Sequence, residues 1–328
     1  MAPQTGASAR MHIRIIDLGS NSLKASLYSI ENGEHKVVDK DKLDYALGDA
    51  VFSEGSIPDS AVEKVADFVR DACEGKGGGK AHFTFVMATS AVRSAKNREA
   101  LVKRVDQKTG FAVRVLDGAE EGFLIHTGIT SSQNGKRDDV IKTIDIGGGS
   151  AEVSWSRGDR YLFGRSYELG AIRLSSRFLK ASTFGREEFE RIHNHALEEL
   201  KRRTPEKAPS ADRAVGSSGN LRAISRMVQS LRSPSFSKLI PEITAGALED
   251  LCEVAVGRSA QSLAGLFDLP IKRARIVMPA ALVLLASMRH FDIQRLEISE
   301  AGLREGVAHF WSRHGHLNLP VSDEGASK

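Results

Sequence analysis

Apolar and polar positions along this chain alternate, cluster and recur in a way that predicts a mixed α/β protein. His12 to Ile16 is a short apolar run ending in Asp17, and Ser22 to Ile30 alternates apolar and polar side chains, as a half-buried strand does. Glu31-Asn32-Gly33 marks a turn before a third strand near Val37 and Val38. Val62, Val65, Ala66 and Val69 share one face of a helix that Ser60 would cap and that runs to about Cys73. Gly75 to Lys80 reads as a flexible loop. A strand over Phe83 to Ala88, a helix from about Ser94, a strand over Ala112 to Leu116 and a helix from about Ala119 to Thr130 complete the first half.

The polar run Ser131 to Asp139, with its Asn134-Gly135 pair, is the best linker candidate. The opening pattern then returns. Ile141 to Ile144 is a strand ending in Asp145, a glycine turn follows, and Ala151 to Trp155 is a second strand. Helices are predicted over about 186–202, 219–230, 245–264 and 277–290. A strand over Leu296 to Ile298 and a helix from about Leu303 to Trp311 close the chain. Strands and helices in this order point to α/β architecture.

The recurrence is the informative feature. Asp17-Leu18-Gly19-Ser20-Asn21-Ser22 and Asp145-Ile146-Gly147-Gly148-Gly149-Ser150 share one pattern, each between two strands. One such turn alone is what Asp and Gly form in any hairpin. Two in matched contexts indicate a copied lobe with a phosphate-sized turn in each. Glycine allows backbone N–H groups to approach an anion closely, and successive turn amides form a concave nest. Serine and asparagine add neutral donors. An Asp at the strand end repels phosphate but can hold Mg²⁺, which then meets the phosphate. Two facing turns would clamp a string of phosphates from both sides.

Composition adds little to this and excludes some alternatives. The 328 residues suit about two domains. The net charge of +4 suits an anionic substrate and equally an ordinary soluble surface. Aromatics make up only 6% of the chain, which argues against a stacking platform for nucleic acid. The longest apolar run, Ala280 to Ala286, is far short of the ~20 residues that span a bilayer. Cys73 and Cys252 stand in no metal or redox spacing, so a reducing compartment is expected. Residues 1–10 lack an apolar signal core and read as a disordered tail, which makes the cytoplasm the expected location. His193 and His195, two apart on a helix, point to different faces and do not suggest a metal pair.

Taken together, IDLGSNS (16–22), ATSAVRSAKN (88–97), VLDGAEEGFL (115–124), IDIGGGSAEVS (144–154), ELGAIRLSSRFL (168–179), AVGSSGNLRAI (214–224) and ISEAGLREG (298–306) resemble the exopolyphosphatase/guanosine pentaphosphate phosphatase family in its short form. The resemblance runs from about residue 12 to 312. It implies two ribonuclease H-like domains of the actin-like superfamily with a cleft between them. The first would span 11–130 and the second 131–302. The helix over about 303–316 would pack back on the first domain, and 317–328 would form a flexible tail. It also implies Mg²⁺-dependent removal of terminal phosphate from inorganic polyphosphate, with Mn²⁺ as a substitute. Guanosine pentaphosphate is the alternative substrate, and family members are often homodimers. Ala46, where many members have Arg, and Arg275, where many have Asp, bear on substrate length.

Glu121 falls in the first turn of its helix, where the dipole favours its ionised form and incoming phosphates raise its pKa. Acids there are often only stabilising, but the resemblance makes Glu121, the second of the Glu120-Glu121 pair, the general base. Asp145 and Glu152, with Asp17 opposite, are the candidate metal ligands. Ser150 and Glu152 lie two apart on a strand and share a face. Arg93 resembles the family's phosphate-binding arginine. Ser20, Asn21, Ser22, Gly147, Gly148, Gly149 and Ser150 are the expected phosphate donors. Lys24, Arg173, Ser217 and Ser218 are weaker candidates. The Gly216 to Asn220 segment either holds a guanosine, lines the channel or caps a helix. Two competing classes are a phosphotransferase of the same superfamily and a catalytically weak alarmone sensor.

Overall fold

A computed structural model describes residues 10–74, 80–132, 138–179, 183–232 and 242–321. The predicted loop at 75–80, the linker at 131–139 and the tails at 1–10 and 317–328 lie wholly or partly outside these residues. Each lobe is built on one sheet. In the first, β1 (Met11–Leu18), β2 (Leu23–Glu31), β3 (Glu34–Leu43), β4 (Phe83–Ala88) and β5 (Val113–Val115) take the order β3-β2-β1-β4-β5. In the second, β6 (Val140–Ile146), β7 (Ala151–Arg157) and β8 (Arg160–Tyr167) form the meander, and β9 (Arg213–Ser217), β10 (Glu242–Thr244) and β11 (Arg295–Ile298) extend it as β10-β11-β9-β6-β7-β8. In both, a three-stranded antiparallel meander pairs through its first strand with a parallel strand. The copied turn is therefore the visible part of a copied topology, in the two-domain form expected.

The helices are α1 (Leu47–Glu54), α2 (Asp59–Glu74), α3 (Ser90–Ser94), α4 (Arg98–Thr109), α5 (Gly118–Ser131), α6 (Ala171–Phe178), α7 (Arg186–Arg203), α8 (Gly219–Arg232), α9 (Ala245–Ala255), α10 (Ala260–Leu266), α11 (Ile271–His290) and α12 (Leu303–His314). Several expectations need correction. The helix that Ser60 was expected to cap already starts at Asp59 and so contains Ser60, because the Pro58 carbonyl accepts from Ala61 and Val62. The helix expected from Ser94 is two, since Ala95 is extended and Asn97 turns its side chain to the Ile57 backbone. The helix over 245–264 breaks at Gly257, which has φ +76° and whose N–H donates to the Phe184 carbonyl. The helix expected from 277 begins at Ile271 and carries Pro279 inside it. α1, α6, β8, β9 and β10 have no counterpart in the sequence reading.

Period-two alternation places the site. On β1, Ile16 and Leu18 join the core under α1, α2 and α4, while Ile13 and Ile15 join one with Phe123 and Leu124 of α5 and Val307 and Phe310 of α12. Asp17 has the parity of Ile13 and Ile15, so it faces the α5 side. On β6, Ile141 packs with Ile125 and Ile129 of α5, and Asp145 has the parity of Ile141. α5 is thus packed by both sheets, with an acid from each lobe aimed toward its N-terminus. α12 lies across α5 so closely that a Cβ on Gly306 would overlap the Leu124 carbonyl, and one on Gly128 would overlap the Gly302 carbonyl. Tyr28 donates to Glu305 at 3.1 Å and Arg304 to Ser26 at 2.6 Å, tying α12 to β2.

Candidate active site between two hairpins

The two turns meet. A Cβ on Gly148 would lie 2.9 Å from the Ser20 Cβ, and one on Gly149 2.8 Å from the Ser20 hydroxyl. Both positions therefore require glycine. The helix that follows each meander reaches back to its turn: the Gly48 N–H of α1 donates to the Ser20 carbonyl at 2.8 Å. In the second lobe, Ala171 donates to the Gly147 carbonyl at 3.0 Å and Ile172 to the Gly148 carbonyl at 2.8 Å. The carbonyls are occupied on the helix side, and among the described residues the Gly148 and Gly149 amides have no acceptor. Unpaired turn amides of this kind suit an anion.

Asp17, Ser20, Asn21, Ser22, Lys24, Glu121, Asp145, Gly147, Gly148, Gly149, Ser150, Ser217 and Ser218 all line one cleft of about 390 Å³. Glu152, Arg93 and Arg173 do not line it. Glu152 is 3% exposed and accepts from Ser166 at 2.7 Å. Its carboxyl is pushed well above the usual range by burial and by the nearby Glu121 and Asp145. Arg93 stands behind Glu121: its Nη1 donates to Glu121 Oε2 at 2.8 Å and to the Leu116 carbonyl at 2.7 Å. Arg173 braces the second turn, with Nε donating to the Gly149 carbonyl at 2.8 Å and Nη2 to Ser94 at 3.0 Å, while its guanidinium lies 4.4 Å from the Phe52 ring centre.

Local folding separates Glu120 from Glu121. Asp117 caps α5, accepting from the Glu120 N–H at 2.8 Å, and the Glu120 carboxylate returns to the Asp117 N–H at 3.1 Å. Arg114 also binds Glu120. Glu120 is thereby committed to the capping box. Glu121, 7% exposed, faces the cleft with only Oε2 hydrogen-bonded among the described residues. Burial raises its pKa, Arg93 opposes this, and the charges of Asp17 and Asp145 add to the rise. Burial likewise lifts Asp145 to about 6, with Lys24 and Arg222 pulling the other way.

Buried acids of raised pKa are what an oxygen-loving divalent cation relieves. Among the described residues no three His, Cys, Asp or Glu side chains are grouped closely enough to cage an ion. The donor set fits Mg²⁺ all the same, because that ion keeps waters and takes one or two carboxylates plus substrate phosphates. Asp17 and Asp145 are the residues on the cleft wall that would hold it.

Sequence reasoning passed over Thr89, Ser90, Lys40, Lys42, Arg222, Arg273 and Arg304, which also line the cleft. Thr89 and Ser90 lie inside the quoted ATSAVR segment, and Lys40 and Lys42 share a strand face, so a signal existed for those four. Ser218 caps α8 by accepting from the Leu221 N–H at 3.1 Å and holds φ +115° in doing so. Ser217 donates to the Ala301 carbonyl at 2.6 Å. Asn220 braces the second hairpin through the Ile146 and Gly147 carbonyls and accepts from Arg273.

Two lobes built on one repeated meander topology, with a polar cleft between them, define a two-sheet α/β protein. The sequence matches the Ppx/GppA phosphatase family over residues 26–313, and the chain belongs to that family. Exopolyphosphatase 1 of Mycobacterium tuberculosis is 28% identical over 300 residues, covering 90% of this chain and 87% of that protein. An exopolyphosphatase structure from Cytophaga hutchinsonii superposes with a TM-score of 0.81 at 23% identity, covering 92% of this chain and 98% of the other. The Aquifex aeolicus Ppx/GppA structure gives 0.76 at 22%, covering 92% and 97%. Membership makes the chain a phosphatase-type hydrolase. Among the described residues no helix is long and apolar enough to cross a membrane.

Proposed function

We propose that this protein is an exopolyphosphatase, which releases orthophosphate from the end of inorganic polyphosphate. The observation that carries this is the place of Glu121: one carboxylate oxygen is held by Arg93 and the other is open toward a cleft walled by two anion-binding turns. The terminal phosphates lie against the Gly148 and Gly149 amides and the Ser20, Asn21, Ser22 and Ser150 side chains, with Lys24 beside them. Glu121 takes a proton from water, and the water oxygen attacks the terminal phosphorus. The bridging P–O bond breaks, and its electron pair stays on the shortened chain. Burial makes the ionised Glu121 a stronger base than a surface glutamate, and Arg93 fixes its direction without entering the cleft. Bound Mg²⁺, or Mn²⁺ with the same oxygen preference, supplies charge neutralisation at the phosphates.

Phosphate release from long-chain polyphosphate and from guanosine pentaphosphate, each with and without Mg²⁺, tests this. Release from polyphosphate that needs the metal and is lost in Glu121→Gln is expected. Release from guanosine pentaphosphate alone would overturn the substrate, and release from neither would overturn the activity.

A further inference from the structure

Arg173, on α6 of the second lobe, engages both lobes with one guanidinium. Its Nε donates to the Gly149 carbonyl at 2.8 Å, its Nη2 donates to the Ser94 hydroxyl at 3.0 Å, and its Nη1 lies 3.3 Å from Glu168. Ser94 is the last residue of α3, in the first lobe, so the second of these bonds crosses between the lobes. The residue before Ser94 is Arg93, which holds Glu121. One side chain thus spans from the second glycine turn to the segment that aims the carboxylate.

Each end of the span has a physical effect. A trans peptide is planar, with its N–H opposite its C=O. Drawing the Gly149 carbonyl onto a cation behind the turn aims the Ser150 N–H the other way, and Ser150 lines the cleft. A charge-assisted bond of this kind is roughly twice as strong as a neutral one. At the other end, α3 is a helix of five residues followed by extended Ala95, too short to be stiff by itself. The turn and α3 also pack together, since a Cβ on Gly149 would overlap the Ser90 hydroxyl and the Phe52 ring. Burial lowers the Arg173 pKa, Glu168 opposes this, and the charge of Arg93 adds to it. The two guanidinium groups therefore repel, and a neutral side chain would fill the same space without that cost. We propose that Arg173 is a positioning residue: through Ser94 and Arg93 it couples the alignment of the second turn to the aim of Glu121. This rests on the role given to Glu121 above.

Steady-state kinetics and thermal unfolding of four variants test the coupling. Ser94→Ala cuts only the bond between lobes, and should lower kcat about three- to tenfold with KM and melting temperature unchanged. Arg173→Lys keeps a point donor for the Gly149 carbonyl but not the fork that also reaches Ser94, so it should show the same split. Arg173→Ala should lower kcat and raise KM as well, because the turn loses its brace. In an Arg93→Ala background, Ser94→Ala should change kcat by about twofold at most, since the link it cuts no longer leads anywhere. A purely structural arginine would move the melting temperature and leave this kcat pattern absent. Ser94→Ala with unchanged kcat, an effect confined to KM, or a full effect beside Arg93→Ala would each overturn the proposal. All variants are assayed on polyphosphate and on guanosine pentaphosphate. A wild type that cleaves only the second would move the substrate reading and leave this test intact, whereas cleavage of neither would overturn both.

Discussion

Lys24 and Glu152 occupy the same place in the two copies of the hairpin: β-pairing sets Lys24 opposite Asp17 and Glu152 opposite Asp145. One copy thus carries a cation beside its acid, at 3.8 Å, and the other a second acid. The duplication is symmetric in backbone and asymmetric in charge. Lys24 lines the cleft and Glu152 does not. Lys24→Ala should therefore raise KM for polyphosphate about tenfold, as loss of one charge-assisted contact predicts, with kcat little changed. Initial rates at several salt concentrations check this, and the salt dependence of KM should weaken.

Glu121 and Arg93 should behave as one unit. Glu121→Gln is expected to lower kcat by ~10²–10⁴-fold with little change in KM, the range for a positioned base. Arg93→Ala should also lower kcat, because the base is left without its guide. The double variant should be much less than additive. Single-turnover phosphate release across the four proteins measures the coupling, and simple additivity would show that Arg93 acts elsewhere.

Metal-free stability should fall as pH rises through the acid range. The Asp145 carboxyl is raised to about 6 in the folded protein, above its ordinary 3.8. Between those values the folded state keeps a proton that the unfolded state has lost, so stability decreases with pH. The effect is present in full below about 4 and lost by about 7. Glu121 and Glu152 are shifted the same way and add to it. Urea midpoints with EDTA from pH 4 to 7 should show the decline, and Asp145→Asn should flatten it.

Lys142 gives a slope of opposite sign at alkaline pH. Its ammonium lies 4.5 Å from the Phe291 ring centre and 5.4 Å from that of Trp155, and burial lowers its pKa to about 8 while Asp292 opposes the change. Between about 8 and 10.5 the unfolded state holds the extra proton, so stability rises with pH there. Lys142→Met should remove that rise and stabilise the protein at pH 7, as thermal unfolding at pH 7 and 9.5 would show.

The α5–α12 crossing should tolerate no added carbon. Gly306→Ala forces a methyl group into the Leu124 carbonyl. Overpacking of this kind typically costs ~1–3 kcal/mol. Chemical denaturation should show a loss in that range, with kcat/KM falling as well, because Glu121 sits on the displaced helix.

The twin turns and their acids are legible in the sequence because a short pattern of Asp, Gly and Ser recurs between strands whose parity fixes where the acids point. The choice between Glu120 and Glu121 is not legible from pattern alone; it depends on Asp117 and Arg114 engaging Glu120. Arg222, Arg273 and Arg304 were invisible for another reason. Each is an ordinary surface-type cation until α8, α11 and α12 converge on one cleft. α1 and α6, the helices that brace the turns, are eight residues each and offer few helical repeats to detect. The break at Gly257 was missed because a lone glycine in an otherwise periodic run costs a helix little unless, as here, its N–H is claimed by a distant carbonyl.

Gly148 abuts Ser20, and Phe52 and Arg173 pack against the same turns, so the two lobes touch where their hairpins meet. On the proposed function, a linear polymer entering from the side away from that contact would be seated by its tip, beside Glu121. Trimming from the end, one unit at a time, would then be a matter of plugging rather than of recognising any chemical label.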